Sequence, residues 1–259
     1  MNESLTRPPI AVQLYTLRDH IGEVGIEATI NDLAEAGYKG VEPFHMHGLT
    51  PTGFRSLVED AGMVIGSSHY PWTTNAADIS DAAAILKELG VSRGAGGYMP
   101  DDVKDADSLQ QTISNTKRVA EELDKHGLSL FLHNHYWEFE SLDGNLIYHT
   151  LCDAVPEVEL EVDTYWAANF GACNPAQEVD RVRLRAPLLH IKDGPLIKNE
   201  PNVAVGSGAM DVEAVFASAS TDVLEWAVVE LDFCGTDMMQ AVKDSYTWLT
   251  THQLAHGNV

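Results

Sequence analysis

Four stretches of the chain each run from apolar, β-rich residues into side chains that bind divalent metals: SLFLHNH at 129–135, VELEVD at 158–163, PLLHIKD at 187–193 and WAVVELD at 226–232. They put His133 and His135, Asp163, His190 and Glu230 at the ends of short strand-like runs. Mg²⁺ and Mn²⁺ prefer carboxylates, and imidazole is tolerated by Mn²⁺, Co²⁺ and Zn²⁺, so a mixed set suits the second group. Side chains alternate along a strand, so His133 and His135 share a face while Asn134 points away. His133 lies nearer the strand proper and is the preferred ligand, with His135 as its neighbour. Any one of these residues alone reads as a strand-end side chain satisfied by a hydrogen bond. Four in order, separated by about the length of a strand plus a crossover helix, are what a metal site at the carboxyl end of a parallel barrel requires.

The elements that must position them are legible as eight short runs. IAVQLY at 10–15, KGVEPF at 39–44, MVIGSSH at 63–69 and VSRGAGG at 91–97 precede the four already quoted. Helical spacing of apolar residues appears in EATINDLAEAG at 27–37, DAAAILKELG at 81–90, SLQQTISNTKRVAEELDKHG at 108–127 and DVEAVFASAS at 211–220. Gly37 is a favourable residue just past a helix end. Alternating strand and helix predict a parallel sheet of the α/β class. Polar residues at most strand ends favour closure into a single (β/α)8 TIM barrel over an open, doubly wound sheet, whose polar ends would cluster only near a switch in strand order. A length of 259 residues fits one such domain, spanning 1–259.

The remaining strand ends carry Gln13 and Tyr15, Glu42 and His45, and His69 followed by Tyr70, Pro71 and Trp72. These residues could hydrogen-bond a polyol, and the aromatics could stack on its apolar face. Trp137 and Trp166 extend that lining; each of these residues reads equally as loop packing. Glu161 shares a face with Asp163 one layer deeper, where an unpaired charge is costly; Lys192 is a candidate partner. The glycine-rich VAVGSGAMD at 203–211 leads into a helix, and its amides could hold a phosphate or carboxylate. A tight turn with Asp211 as a helix cap explains it equally well. No G-x-S-x-G elbow or dinucleotide fingerprint occurs, which disfavours serine hydrolases and dehydrogenases.

With 16 basic against 39 acidic residues, the formal charge of -23 repels phosphate backbones and acidic membranes, so nucleic acid is not an expected partner. The acids are scattered, as on a solvated surface. An excess of this size suggests a halophilic protein, working in salt concentrated enough to screen its self-repulsion. A melting temperature that does not rise between dilute buffer and molar potassium chloride would instead mark a merely acidic cytoplasmic enzyme. Cys152, Cys173 and Cys234 are widely spaced and form no paired motif, which fits a reducing cytoplasm. The N-terminus lacks the pattern of a secretion signal, and no apolar run approaches a membrane span.

The phrases VQLYTLRD, HNHYWEFE, EVDTYW, HIKDG, GSGAMD and VVELD together resemble, in order and over nearly the whole chain, the sugar phosphate isomerase/epimerase family with its xylose isomerase-like barrel. The resemblance implies a divalent metal (Mn, Mg, Co or Zn) held at the ends of strands five to eight by His133, Asp163, His190 and Glu230. Many sugar epimerases of this superfamily carry a glutamate at the fifth-strand position, where it also transfers protons; this chain has His133 there. That departure leaves Glu230 with a histidine, His135, as the acid/base pair, and His69 and Lys192 as substrate-positioning residues. The implied activity is isomerisation or epimerisation of a keto sugar or sugar phosphate by proton transfer next to a carbonyl. The alternative is a lyase or dehydratase acting on a keto-inositol or 3-keto-glycoside, which begins with the same proton abstraction. A DNA phosphodiesterase is disfavoured by the acidic charge, and a non-catalytic sugar-binding protein would need no metal. The partner expected is a small carbohydrate; the sequence leaves open whether the chain forms a homo-oligomer.

Overall fold

Eight short strands follow one another in parallel in the computed structural model, which describes residues 7–258. They are β1 Ile10–Gln13, β2 Gly40–Glu42, β3 Val64–Ile65, β4 Arg93–Gly96, β5 Ser129–His133, β6 Glu159–Asp163, β7 Leu188–Ile191 and β8 Trp226–Val229. Helices connect them: α1 Arg18–Val24 and α2 Ile26–Ala36, α3 Pro51–Asp60, α4 Ile79–Leu89, α5 Ala106–Asp124, α6 Ile147–Ala154, α7 Thr164–Ala167 and α8 Pro175–Val182, α9 Val212–Ser218 and α10 Met238–Thr251. The ladders run β3-β2-β1-β8-β7-β6-β5-β4, so the curled sheet is that of a (β/α)8 TIM barrel.

Several helix ends carry the side chains that such ends require. Thr50, Asp78, Asp105, Asn174, Asp211 and Asp237 each accept a backbone N–H as N-caps. Gly37 closes α2 at φ 97°, in the left-handed region, and donates its N–H to the last turn. The strands are shorter than the apolar runs that signal them. The run at 63–69 forms a strand only at Val64–Ile65, because Ser67 and Ser68 turn their hydroxyls to Glu42 and to the Tyr70 carbonyl.

Alternation divides the core. Val12, Val41, Leu130, Leu132, Leu160, Val162, Leu189, Ile191 and Val229 are buried and belong to the main apolar cluster with helix residues such as Leu33, Phe54 and Leu86. A separate cluster of Ala95, Phe131 and Leu188, with Trp72 and Trp226, fills the barrel itself. A β-carbon at Gly40 or Gly66 would lie 2.8 Å from the Trp226 ring, so glycine at both positions makes room for that plug. Below it, Arg93 pairs with Glu159 and Glu225.

One seam of the barrel is closed differently. Between β3 and β4 an isolated bridge joins Trp72 to Ala95. The Thr73 and Thr74 hydroxyls donate to the carbonyls of Ala95 and Gly97 at 2.6 and 3.0 Å, and the Trp72 indole to Gly97 at 3.3 Å.

Candidate metal centre and active site

The strand register assembles the polar residues at the carboxyl end. His133 lies opposite Glu161, Asp163 opposite His190, and Gln13 opposite Glu42. Asn134 points away from the barrel axis and extends the β5–β6 pairing: its amide donates to the Asp163 carbonyl and accepts the Asp163 N–H, both at 3.0 Å. Asp163 also caps α7, its Oδ1 accepting the Trp166 N–H at 2.9 Å.

The deeper layer holds Glu42 and Glu161, both fully buried. Glu42 accepts from Gln13 at 2.6 Å and from the Ser67 hydroxyl. Glu161 meets His69 at 2.6 Å, His133 Nδ1 at 3.1 Å and His190 Nε2 at 3.1 Å. Its expected partner, Lys192, lies elsewhere: the ammonium is 2.7 Å from Asp163, 2.9 Å from Glu230 and 2.9 Å from Asp232. His190 and His69, rather than one lysine, offset the buried Glu161 charge, and His133 adds a hydrogen bond.

Burial opposes charge on His190, but Glu161, Glu42 and Glu230 outweigh it and hold the ring well above the ordinary histidine pKa. His69 is raised in the same way by Glu42 and Glu161. His133 and His135 go the other way: burial, then neighbouring histidines, depress both well below the usual range, so both are neutral. Lys192 and His190 overcome burial to keep Glu230 ionised, and Lys192 itself is held charged by Asp163, Asp232 and Glu230. Burial raises Asp163 to about 6, against the pull of Lys192.

Ligand atoms of His133, Asp163, His190 and Glu230 all lie within 4.8 Å of one another, and all four residues are buried. This donor set fits a first-row divalent cation, and the neutral His133 is ready to ligate. Its Nδ1 faces Glu161, which directs Nε2 toward Asp163, 4.0 Å away. His190 is bracketed by Glu230 at Nδ1 (2.7 Å) and Glu42 at Nε2 (2.8 Å), so ligation would release a proton. His69, His133, Glu161 and His190 form a second, overlapping group of the same kind.

Above the centre a cavity of about 430 Å³ is lined by Tyr15, His69, Trp72, His133, His135, Lys192 and Glu230, seven of the residues singled out in the sequence. Gln13 and Glu42, expected to touch substrate, lie beneath it and fully buried. Trp166 stands to one side, 5.0 Å from the Lys192 ammonium, and lines a separate crevice of about 90 Å³. His135 stacks on Trp137 at 4.2 Å, and its Nδ1 is buried without a hydrogen-bond partner. Glu138 accepts the His135 N–H at 3.0 Å.

Asp232, Phe44 and Asn75 also line the cavity and were missed. Alternation alone could have found Asp232, two residues beyond Glu230. The glycine-rich 203–211 segment does hold a carboxylate, but it is the chain's own Asp193. That buried side chain accepts the N–H groups of Gly194, Gly206, Gly208 and Met210 at 2.8, 2.9, 3.0 and 3.1 Å.

Over residues 30–252 the sequence matches the family described as Xylose isomerase-like TIM barrel. Among solved structures, the chain is similar to a sugar phosphate isomerase/epimerase from Parabacteroides distasonis, with 23% identity and a TM-score of 0.79 over 98% of this chain and 97% of that one. It is similar to a D-allulose 3-epimerase from Methylomonas sp., at 15% identity and a TM-score of 0.69 over 95% and 98%. A probable 3-DHS dehydratase from Bacillus anthracis gives 14% identity and a TM-score of 0.70 over 93% and 98%. At these identities the likeness is one of fold. No curated protein matches the sequence.

Proposed function

Since the chain belongs to the xylose isomerase-like TIM barrel family, we propose that it is a divalent-metal-dependent isomerase or epimerase of a keto sugar or sugar phosphate. The observation that carries this reading is the set of four buried donors, His133, Asp163, His190 and Glu230, at the ends of strands five to eight beneath an aromatic-lined cavity.

When bound there, a divalent cation supplies the positive charge that favours enediolate formation. The side chains account for the proton. His135, neutral and with a buried unpartnered nitrogen, is suited to accept a proton from the carbon next to the carbonyl. Glu230, ionised beside Lys192, is the second proton-transferring group. Return of the proton to the neighbouring carbon isomerises the sugar; return to the opposite face of the same carbon epimerises it. Lys192 and His69, both in the cavity lining, orient substrate hydroxyls in this reading. Tyr15 and Trp72 offer faces for its C–H groups.

The histidine at the end of β5 favours a second reading. With one carboxylate at the proton-transfer position, abstraction followed by loss of a β-substituent would make the protein a lyase or dehydratase. Both readings are tested by following solvent deuterium into keto sugars by NMR with Mn²⁺-supplied protein, and by metal analysis of His190→Ala. Exchange without loss of water supports the isomerase; an unsaturated product supports the lyase. No exchange into any keto sugar, with His190→Ala retaining metal, would sink both. The unpaired cysteines support a cytoplasmic location, and the acidic composition supports work in concentrated salt. No helix among the described residues is long and apolar enough to cross a membrane.

A further inference from the structure

Resting on the carbonyl-sugar reading, we infer that the substrate is an uncharged sugar and not a sugar phosphate. Among the described residues that line the cavity no cation is left over for a phosphate, since the His69 ring already meets Glu161 at 2.6 Å and Glu42 at 3.2 Å. Lys192 is the one lysine or arginine among the lining residues, and its ammonium is already 2.7–2.9 Å from Asp163, Glu230 and Asp232. A divalent cation on the four donors would be offset by Asp163 and Glu230, which leaves Asp232 against Lys192. Arg18, near the rim, is also committed: its guanidinium donates to the carbonyls of Tyr15 and Asp232 at 2.9 and 2.8 Å and lies 4.2 Å from the Tyr15 ring centre.

The backbone amides of the loop after β7 are committed too. In TIM barrels a phosphate is often held by the loops after strands seven and eight and by a helix N-terminus. Here the loop after β7 gives four amides to Asp193. The helix starts beyond β7 and β8 are capped by the chain's own Asp211 and Asp237, at 3.0 and 2.7 Å. What remains for a ligand is suited to an uncharged polyol: the rings of Tyr15, Phe44 and Trp72 for its C–H faces, and Asn75 and the histidines for its hydroxyls.

The test compares matched pairs, D-fructose with D-fructose 6-phosphate and D-allulose with D-allulose 6-phosphate, on the intact protein supplied with Mn²⁺. Binding is read from tryptophan fluorescence, since Trp72 lines the cavity, and exchange is read from solvent deuterium by NMR. The uncharged member of a pair is expected to bind at least about tenfold more tightly than its phosphate, and inorganic phosphate should not displace it. Tighter binding of a phosphorylated member, or displacement by inorganic phosphate, overturns the inference while leaving the isomerase reading intact. Failure of every sugar to bind removes the functional reading and the inference with it.

Discussion

Asp193→Ala is the most informative single change. The side chain is fully buried and holds four N–H groups at 2.8–3.1 Å. A hydrogen bond to a charged acceptor contributes roughly 1.5–3 kcal/mol, and an orphaned buried donor costs about 1–3 kcal/mol. Gly206 and Gly208 are exposed, so water can satisfy their amides in the variant; Gly194 and Met210 are less accessible. Discounting the exposed pair puts the loss at about 4 kcal/mol in all. For a chain of this size that corresponds to a fall of roughly 8–16 °C in melting temperature. Asp193→Asn keeps one acceptor and should lose about half as much. Calorimetry on the wild type and both variants, with and without sulfate, checks the argument. Compared with chloride at equal ionic strength, sulfate should stabilise Asp193→Ala more than the other two proteins, by entering the vacated ring of amides. A fall of less than about 3 °C for Asp193→Ala, or equal sulfate response in all three proteins, would refute the claim that the loop is organised around this carboxylate.

Burial raises Glu138 to about 8 from an ordinary value of 4.5, so the folded protein holds that proton more tightly than the unfolded chain. Its contribution to stability is complete below the unfolded pKa and is lost as the pH rises through about 8; Glu138→Gln should therefore gain on wild type by a few kcal/mol between about pH 5 and pH 9. Urea unfolding at each pH reads this, and parallel stabilities would contradict it. Gly66→Ala puts a β-carbon 2.8 Å from the Trp226 ring and should cost about 1–3 kcal/mol. In a Trp226→Phe background the same change should cost less, and equal costs in both backgrounds would show that the ring is not what excludes the methyl group.

Strand-end positions were legible because alternation and apolar runs are local properties. That is why His133, Asp163, His190 and Glu230 could be named from the sequence and are found with their ligand atoms within 4.8 Å of one another. Depth was legible within one strand, as for Glu161 beneath Asp163, but not from one strand to the next. Gln13 and Glu42 stand at strand ends as expected, yet lie beneath the cavity, because height in a closed sheet depends on the stagger between strands, which no single strand reveals. The same stagger decided the partners of Glu161: His133 sits directly across the ladder, His190 reaches in from β7 and His69 from the loop after β3, whereas Lys192 ends among Asp163, Glu230 and Asp232. In the glycine-rich segment, composition indicated a place for an anion. Only the folded backbone shows that the anion comes from thirteen to seventeen residues earlier in the same chain.

The seam between β3 and β4 bears on how the chain could be rewired. It is held by one isolated bridge and by threonine and tryptophan side chains, whereas every other neighbouring pair of barrel strands shares a regular ladder. At the start of β1, the Ile10 N–H donates to the His256 carbonyl at 2.9 Å and the His256 N–H to the Pro8 carbonyl at 3.0 Å. A circular permutant that links the segments around Pro8 and His256 and opens the chain before α4 would keep all seven ladders. The cut would fall at the weakest junction of the ring, so such a permutant should fold, with its new ends next to the Trp72 wall of the cavity.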